Sequence, residues 1–198
     1  MKTVIASDIH GSAYYCGLLA EAVKSEGADC LLLLGDVLYH GPRNDLPRAY
    51  APKEVISILS GMDVRMFSVR GNCDTEVDQM VLPFPVLADY SIIPVGKSLI
   101  FATHGHVYNE EHLPPLKCGD ILLHGHTHVP KCIDHGNYIY MNPGSVSIPK
   151  EQSCHSYMTL SDGVFQWKDL ETGDVYMKYV KEIKTTGSTG GLIHPYKG

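Results

Sequence analysis

The first third of the chain alternates short apolar runs with stretches of mixed polarity. Apolar runs at residues 3–6, 30–34 and 64–69 each contain no charged residue apart from Arg65. Such nearly continuous runs are typical of strands covered on both faces. Between them, residues 12–24 and 53–59 carry apolar side chains at helical spacing. The pattern therefore predicts a β-α-β-α-β order.

From residue 99 onward the pattern favours strands. We predict strands at 99–103, 121–123, 138–141, 157–160, 164–167 and 175–180. Turn signals such as Gly136-Asn137 and Asp162-Gly163 separate several of them. The order predicts two packed sheets with helices outside, in a single domain over residues 1–184. Residues 185–198 are rich in Gly, Thr and Ser, and we expect a flexible or partner-dependent C-terminal tail.

Size and charge restrict the function. A chain of 198 residues suits one well-buried domain, and its net charge of -6 argues against a nucleic-acid partner bound through a basic face. Asp8 interrupts the first apolar run before it reaches the length of a signal peptide, and no run approaches the ~20 residues of a membrane span. We therefore expect a cytoplasmic protein without a membrane partner. Its six cysteines form no Cys-x-x-Cys pair and are interpreted as reduced thiols.

Short polar motifs follow the apolar runs, and each contains a glycine. They are Asp8-Ile9-His10-Gly11, Gly35-Asp36, Gly71-Asn72-Cys73-Asp74, His104-Gly105-His106 and Gly125-His126-Thr127-His128. Loops at the carboxyl ends of strands converge on one crevice in open α/β sheets. In a strand-like segment, side chains two residues apart point the same way, so Asp8 with His10 should form a two-pronged clamp, as should His126 with His128.

Any one of these motifs alone is weak evidence, because Gly-Asp is usually an ordinary turn and Asp-x-His arises by chance. All five together, in order and at strand ends, indicate a metal centre. Oxygen and imidazole ligands without thiolate suit Mn²⁺, Fe²⁺, Ni²⁺, Co²⁺ or Zn²⁺ better than Ca²⁺.

The motif set resembles that of the calcineurin-like metallophosphoesterase family, in its compact YfcE-type bacterial phosphodiesterase branch. The resemblance extends to residues 35–44, to Arg70 before the third motif and to Asn142-Pro143-Gly144-Ser145. It implies a four-layer α/β/β/α sandwich with two packed mixed β-sheets. It also implies two divalent metal ions, with Mn²⁺ the first choice and Zn²⁺, Ni²⁺, Fe²⁺ or Co²⁺ as alternatives. The first ion would be held by Asp8, His10 and His128, the second by Asn72, His104 and His126, with Asp36 bridging both.

The resemblance further implies hydrolysis of a small-molecule phosphate diester by a metal-bridging hydroxide, which metal binding makes available near neutral pH. His106 and Cys73 are the candidate catalytic residues near the leaving group. A thiol is a poorer proton donor than imidazolium, so Cys73 favours diesters with good leaving groups unless His106 supplies the acid. Cys73 is equally interpretable as a small packed residue.

Asn72, Arg43 and His40 are candidate substrate-binding residues, although Arg43 and His40 suit an ordinary surface loop equally well. His124 is interpreted as structural. Alternative functions are a phosphomonoesterase or nucleotide pyrophosphatase on the same centre, or a non-catalytic scaffold like the retromer subunit of this fold. A nuclease is a weaker alternative, because no basic track or aromatic platform for single strands is evident. Compact relatives often assemble, so we expect a homo-oligomer, either a dimer or a tetramer.

Overall fold

The computed structural model describes residues 1–182, so the predicted tail at 185–198 and the predicted domain limit at 184 lie outside the described residues. One sheet contains β1 (Lys2–Ala6), β2 (Cys30–Leu33), β3 (Arg65–Ser68), β9 (Ser156–Ser161), β10 (Val164–Asp169) and β11 (Val175–Val180). A second sheet contains β4 (Tyr90–Val95), β5 (Ser98–Thr103), β6 (Asp120–Leu123), β7 (Lys131–Asp134) and β8 (Tyr138–Asn142). The helices are α1 (Ala13–Ser25), α2 (Pro52–Ser60) and α3 (Glu76–Val81).

Both sheets are mixed. The first has the order β11-β10-β9-β1-β2-β3, and the second has the order β4-β5-β6-β8-β7. β1, β2 and β3 are parallel to one another, as are β5, β6 and β8. The edge strands β11, β4 and β7 run antiparallel to their neighbours. Because β1 pairs with both β2 and β9, early and late parts of the chain share one sheet.

Alternate residues of the central strands point into different layers. Ile5 and Leu32 face the second sheet, where they meet Ile100, Ile121 and Met141 in a core between the sheets. Their sequence neighbours in β1 and β2 face α1 and α2 on the other side. Both faces of these strands are therefore buried, which explains their continuous apolar runs.

The outer face of the second sheet is covered differently. Phe101, Leu122 and Tyr140 form a small cluster there, packed by Tyr108 and Leu116 from the segment 104–119, which contains no helix. The predicted architecture of two packed mixed sheets in a calcineurin-like fold is confirmed. No helix among residues 1–182 combines the length and apolar character needed to cross a bilayer.

The elements predicted from the sequence are present, with ends displaced by one or two residues. Ser12 is not in α1 but caps it, accepting a hydrogen bond from the Tyr15 amide. The strands β4 and β7 and the helix α3 were not predicted. β4 and β7 are edge strands with largely exposed or half-buried side chains, so they lack a strong apolar pattern. α3 buries no residue and is marked only by the capping box of Thr75 and Asp78.

Candidate metal centre

The polar motifs meet where the two sheets come together at the carboxyl ends of their parallel strands. Asp8, Asp36 and Asn72 follow β1, β2 and β3 of the first sheet, and His104 and His126 follow β5 and β6 of the second. Each sheet thus contributes one half of the site, as expected for ligands at the strand ends of α/β sheets.

A first cluster is formed by Asp8, His10 and His128. Asp8 Oδ1 lies 3.4 Å from His10 Nε2 and 3.3 Å from His128 Nε2, and the two nitrogens are 3.3 Å apart. Three atoms bound to one ion at about 2.1 Å stand roughly 3.0–3.4 Å from one another. Asp8 Oδ1 is buried and accepts no hydrogen bond within the described residues. The triangle therefore fits a divalent cation.

A second cluster converges on His104 Nε2. Asn72 Oδ1 and His126 Nδ1 each lie 3.1 Å from this nitrogen. Asp36 Oδ2 lies 3.4 Å from it and 3.7 Å from His10 Nε2 in the first cluster. One carboxylate oxygen is therefore within reach of both clusters, which is the geometry required of a bridging ligand.

The ligand side chains converge through an unusual backbone. Asp8, His10, Asp36, His126 and His128 have φ values of 59°, 48°, 54°, 65° and 62°. The left-handed region is uncommon for residues other than glycine and costs on the order of 1–3 kcal/mol per residue. The prediction that these motifs are strand-like clamps was wrong. The paired side chains do converge on the two clusters, but left-handed turns direct them there.

Backbone carbonyls orient three of the imidazoles. His10, His104 and His128 each donate a hydrogen bond from Nδ1, to the carbonyls of Tyr39 (2.7 Å), Leu34 (2.6 Å) and Ile148 (2.6 Å). These bonds direct the Nε2 atoms into the clusters. Such outer hydrogen bonds fix the tautomer of metal-binding histidines. His126 differs from these three histidines, because it directs Nδ1 rather than Nε2 toward His104 in the second cluster.

The carboxylates stay charged despite burial. Burial raises the pKa of Asp8, but the adjacent imidazoles of His10 and His128, together with the charge of His104, outweigh this effect and hold the pKa well below its ordinary value. Burial likewise disfavours a charged His104, but its hydrogen bond to Asp36 raises the pKa of His104 to about 9. Burial and the charge of His104 lower the pKa of His126 to about 4. The ionised carboxylates attract positive charge to this position.

Asp74 joins the loops that carry Asp36 and Asn72. Its buried carboxylate accepts hydrogen bonds from the amides of Asp36 (2.8 Å), Val37 (2.9 Å) and Gly71 (2.7 Å). Asp74 belongs to the third polar motif, but the sequence did not show that it joins the two loops. All three of its donors are backbone amides, which leave no signature in the sequence.

The loop at Ser145 supports the first cluster in the same way. The hydroxyls of Ser145 and Ser147 both donate to the Asp8 carbonyl, each at 3.0 Å. This contact holds the left-handed turn at Asp8 against the loop that follows β8.

A cleft with a volume of about 440 Å³, here called the metal cleft, opens over both clusters. Besides the ligands it is lined by Gly41, Pro42, Arg43, Asn44, Cys73, Thr127 and Lys150. Burial, with the charge of Asp36, raises the pKa of Cys73. His40 does not line the cleft; its ring packs against Tyr39 and Tyr50. Lys150 and Asn44 were not predicted as site residues, because neither is a ligand of the five polar motifs.

A smaller cavity of about 310 Å³, here called the side pocket, lies beside the metal cleft. It is lined by Gly105, His106, Asn109, Glu110, Glu111 and His124, and it shares His126 and Thr127 with the metal cleft. The ring centre of His106 is 5.4 Å from that of His104 and 6.3 Å from that of His126. His106 is therefore close to the second cluster but outside it.

Comparison with known proteins accounts for this arrangement. The profile of the calcineurin-like phosphoesterase superfamily domain matches residues 1–162. The chain belongs to this superfamily. It is 46% identical to phosphodiesterase YfcE of Escherichia coli K12 over 164 residues, which cover 83% of this chain and 89% of that protein.

Solved structures agree with this superfamily assignment. The structure of the phosphoesterase YfcE from E. coli superposes with a TM-score of 0.87 and 43% identity, covering 91% of this chain and 99% of that one. Vps29 of Chaetomium thermophilum superposes with a TM-score of 0.59 at 16% identity, covering 92% and 100% of the two chains, which shows a shared fold alone. As a member of the superfamily, the chain has the fold of metal-dependent phosphoesterases.

Proposed function

We propose that this protein is a dinuclear phosphodiesterase that hydrolyses a small-molecule phosphate diester. The observation that carries the proposal is the position of Asp36 Oδ2, within 3.4 Å of His104 Nε2 and 3.7 Å of His10 Nε2. Two ligand clusters that share one carboxylate suit two ions about 3.5–4 Å apart, as in two-metal phosphoesterase sites. The similarity to a protein named as a phosphodiesterase supports the same activity.

In this proposal Asp8, His10 and His128 would hold one ion, and Asn72, His104 and His126 would hold the other, with Asp36 shared between them. The donors are oxygen and imidazole nitrogen, which suit Mn²⁺ and also Zn²⁺, Ni²⁺, Fe²⁺ or Co²⁺. These residues would hold two dications, which would supply a hydroxide nucleophile near neutral pH and neutralise charge on the phosphoryl oxygens.

The chain's own residues position the substrate. Arg43 and Lys150 line the metal cleft and form no ion pair within residues 1–182, so their charges are free to attract a phosphate anion. Asn72 presents its carbonyl oxygen to the second cluster, while its amide nitrogen lies 3.2 Å from Cys73 Sγ. The amide thus faces the cleft, where it can contact a phosphoryl oxygen.

The leaving-group side of the site favours diesters with stable leaving anions. Cys73 lines the cleft as a buried thiol and is a poor proton donor to an alkoxide. His106 is exposed beside the second cluster and is the proposed acid for poorer leaving groups. His40 is proposed to act indirectly, through the loop of Arg43, because Asn44 donates a hydrogen bond to the His40 carbonyl at 2.8 Å.

A phosphomonoesterase or pyrophosphatase is the second candidate, since Arg43 and Lys150 can also pair with the extra charge of a terminal phosphate. A non-catalytic scaffold is less favoured, because all the ligand positions are filled and their side chains converge. The two enzymes are distinguished by turnover of bis(p-nitrophenyl) phosphate and p-nitrophenyl phosphate after loading with Mn²⁺. We expect kcat/KM for the diester to exceed that for the monoester by about tenfold or more, a difference of about 1.4 kcal/mol in transition-state stabilisation.

The bridging role has a matched control. Asp36→Asn should lose more than about 100-fold in kcat and bind fewer than two ions per chain by metal analysis. Asp162→Asn should behave as the parent, because Asp162 is an exposed residue outside the metal centre with a similar left-handed φ of 50°. Full activity of the parent in excess EDTA, or of Asp36→Asn, would refute the dinuclear mechanism.

We also infer one catalytic domain over residues 1–184, acting in the cytoplasm as a dimer or tetramer. The pairing of β1 with β9 supports a single domain, because the sheet cannot form without both parts of the chain. Exposed Tyr90 and Ile92 on the edge strand β4 support self-association. Light scattering coupled to size exclusion tests the assembly; a monomer at micromolar concentration contradicts it.

A further inference from the structure

Thr127 forms the ridge between the metal cleft and the side pocket. It is exposed and, together with His126, lines both cavities. Its two neighbours in the sequence are His126 of the second cluster and His128 of the first. A phosphoryl group placed over both clusters in the metal cleft would therefore lie against a wall to which Thr127 contributes.

A buried amide fixes one side of the Thr127 hydroxyl. Asn142 is fully buried and donates a hydrogen bond from Nδ2 to Thr127 Oγ1 at 3.1 Å. The other end of this amide sets its orientation, because Asn142 Oδ1 accepts a hydrogen bond of 2.8 Å from the Gly144 amide. An amide nitrogen can only donate, so the Thr127 oxygen is the acceptor in this bond.

Two further donors meet the same oxygen. The Val129 amide donates to Thr127 Oγ1 at 3.4 Å. The Tyr140 hydroxyl lies beside Thr127; it is buried and already accepts from Asn142 Nδ2 at 3.1 Å, so its own hydrogen needs an acceptor, which Thr127 provides. A hydroxyl has two lone pairs and one hydrogen. Because the lone pairs of Thr127 face these donors, its hydrogen is left for a group in the cleft.

The backbone around Thr127 is held in place as well. The Thr127 amide donates to the Gly125 carbonyl at 2.7 Å, and Asn142 Nδ2 donates to the same carbonyl at 2.8 Å. The His126 amide donates to Asp8 Oδ2 at 3.0 Å. The hydroxyl is thus oriented before a ligand arrives, and a donor fixed in this way stabilises an anion without a cost of reorganisation.

We propose that the Thr127 hydroxyl donates a hydrogen bond to a phosphoryl oxygen of the diester in the metal cleft. The inference rests on the proposed phosphodiesterase function and adds a substrate-binding residue to it. The two non-bridging oxygens of a phosphate diester share one negative charge, and hydrogen bonds to charged acceptors are the stronger ones. Thr127 supplies a neutral, oriented donor, whereas Arg43 and Lys150 supply charge.

Isosteric substitution of Thr127 tests the contact. Thr127→Val removes the hydroxyl and keeps the branched shape. We expect kcat/KM of the Mn²⁺-loaded protein for bis(p-nitrophenyl) phosphate to fall about tenfold or more, since one hydrogen bond to a charged acceptor is lost. For the same reason the inhibition constant of inorganic phosphate should rise about tenfold. Thr127→Ser retains the hydroxyl and should stay within about threefold of the parent in both measurements.

Thr172 offers a matched control. Its hydroxyl accepts a hydrogen bond of 3.2 Å from the amide of Asp174, two residues later, just as Thr127 accepts from Val129. Thr172 is also exposed, but it does not line the metal cleft. Thr172→Val should therefore keep both parent values. Parent-like values for Thr127→Val, or equal losses in Thr127→Val and Thr127→Ser, would overturn the proposal.

Metal analysis separates a substrate contact from a structural role. Thr127→Val should bind as many ions per chain as the parent and with the same affinity, because Asn142 Nδ2 keeps its acceptors on Gly125 and Tyr140. A loss of bound metal that accounts for the lost activity would show that the hydroxyl orients the neighbouring histidines, and would overturn the proposal.

Failure of the Thr127 contact is distinguishable from failure of the phosphodiesterase. If the metal-loaded parent hydrolyses no diester, the proposed function fails, and calorimetric titration of parent and Thr127→Val with inorganic phosphate still measures the contact. Weaker phosphate binding by Thr127→Val then supports the hydrogen bond, and equal binding contradicts it. If the diester is hydrolysed equally by both proteins, the phosphodiesterase stands and the Thr127 contact does not.

Discussion

Gly71 stands so close to Asp36 that a side chain has no space there. A β-carbon at this position would lie 2.1 Å from Asp36 Oδ1 and 2.3 Å from the Asp36 amide nitrogen. Both contacts are far shorter than van der Waals separation, and one of them is with backbone. The glycine of this motif is therefore required by the approach of the Asp36 loop, rather than by a left-handed φ.

We expect Gly71→Ala to displace Asp36 and reduce kcat by about 100-fold, since displacement of a catalytic group by about 1 Å costs this much. Steady-state kinetics and metal content measure the effect. Gly17→Ala is the control, because no atom lies within 4 Å of a β-carbon at this position in α1. It should retain activity and gain about 0.5–1 kcal/mol in unfolding free energy. Parent-like activity of Gly71→Ala would contradict the steric argument.

We propose that Cys73 limits the leaving groups that the site accepts. Cys73→His places an imidazole, a better proton donor than a thiol, beside the second cluster. We expect turnover of alkyl diesters to rise relative to that of aryl diesters, by about 10-fold or more. The dependence of kcat on leaving-group pKa measures this, with Cys118→His as an exposed control. An unchanged dependence would show that residue 73 only fills space.

At the scale of elements, Glu26 ties the end of α1 to three strands. Its carboxylate accepts hydrogen bonds from Lys2 in β1, from Lys168 in β10 and, at 3.1 Å, from the Tyr157 hydroxyl in β9. Burial raises the pKa of Glu26, but the hydrogen bonds from Lys168 and Lys2 outweigh it and leave the pKa below its ordinary value. Helix and sheet are thus joined by one charged group.

The pKa of Glu26 is lower in the folded protein than in the unfolded chain, where it is about 4.3. Its carboxylate therefore stabilises the fold at pH values above about 4.3. This contribution is lost as the pH falls through the pKa of Glu26 in the folded protein. We expect Glu26→Gln to reduce the unfolding free energy by about 1–3 kcal/mol at pH 7. The difference from the parent should persist down to about pH 5 and shrink below about pH 4. Urea unfolding across this range measures it, with Glu21→Gln on the same helix as control. A difference independent of pH would exclude the ionic contribution.

At the scale of the whole molecule, the candidate metal centre joins the two sheets. Its proposed ligands come from strand ends of both, and Trp167 of β10 adds a buried hydrogen bond of 2.6 Å to the Asn142 carbonyl of β8. An ion that binds these ligands only in the folded chain stabilises the fold by mass action. The left-handed ligand residues increase the need for such stabilisation, because their strain opposes the folded site.

Removal of metal with EDTA should therefore lower Tm, and addition of Mn²⁺ at roughly a thousandfold excess over Kd should restore about 4 kcal/mol. Differential scanning calorimetry measures the shift. Metal should raise the Tm of Asp162→Asn by as much as that of the parent. It should raise the Tm of Asp36→Asn by less than half as much. Equal Tm values with and without metal, in protein shown by metal analysis to bind it, would contradict this coupling.

The sequence by itself determined the class of fold and the set of candidate ligands. Continuous apolar runs are best buried in strands covered on both faces, and the polar motifs after them then lie at strand ends. For this reason the amino-acid pattern predicted that polar side chains from Asp8 to His128 converge, whereas their assignment as metal ligands came from the family resemblance and stays a prediction. The edge strands β4 and β7 escaped prediction because half-exposed strands carry no such pattern.

The tertiary structure alone decided how those ligands converge and what surrounds them. The left-handed turns at Asp8 and His126 depend on contacts with distant loops, such as the hydrogen bond from the His126 amide to Asp8 Oδ2 at 3.0 Å. Lys150 in the metal cleft and Glu111 in the side pocket belong to no motif, because residues far apart in sequence form each cavity wall. Spacing along a chain specifies neighbours on one element, whereas the approach of separate loops depends on how the two sheets pack.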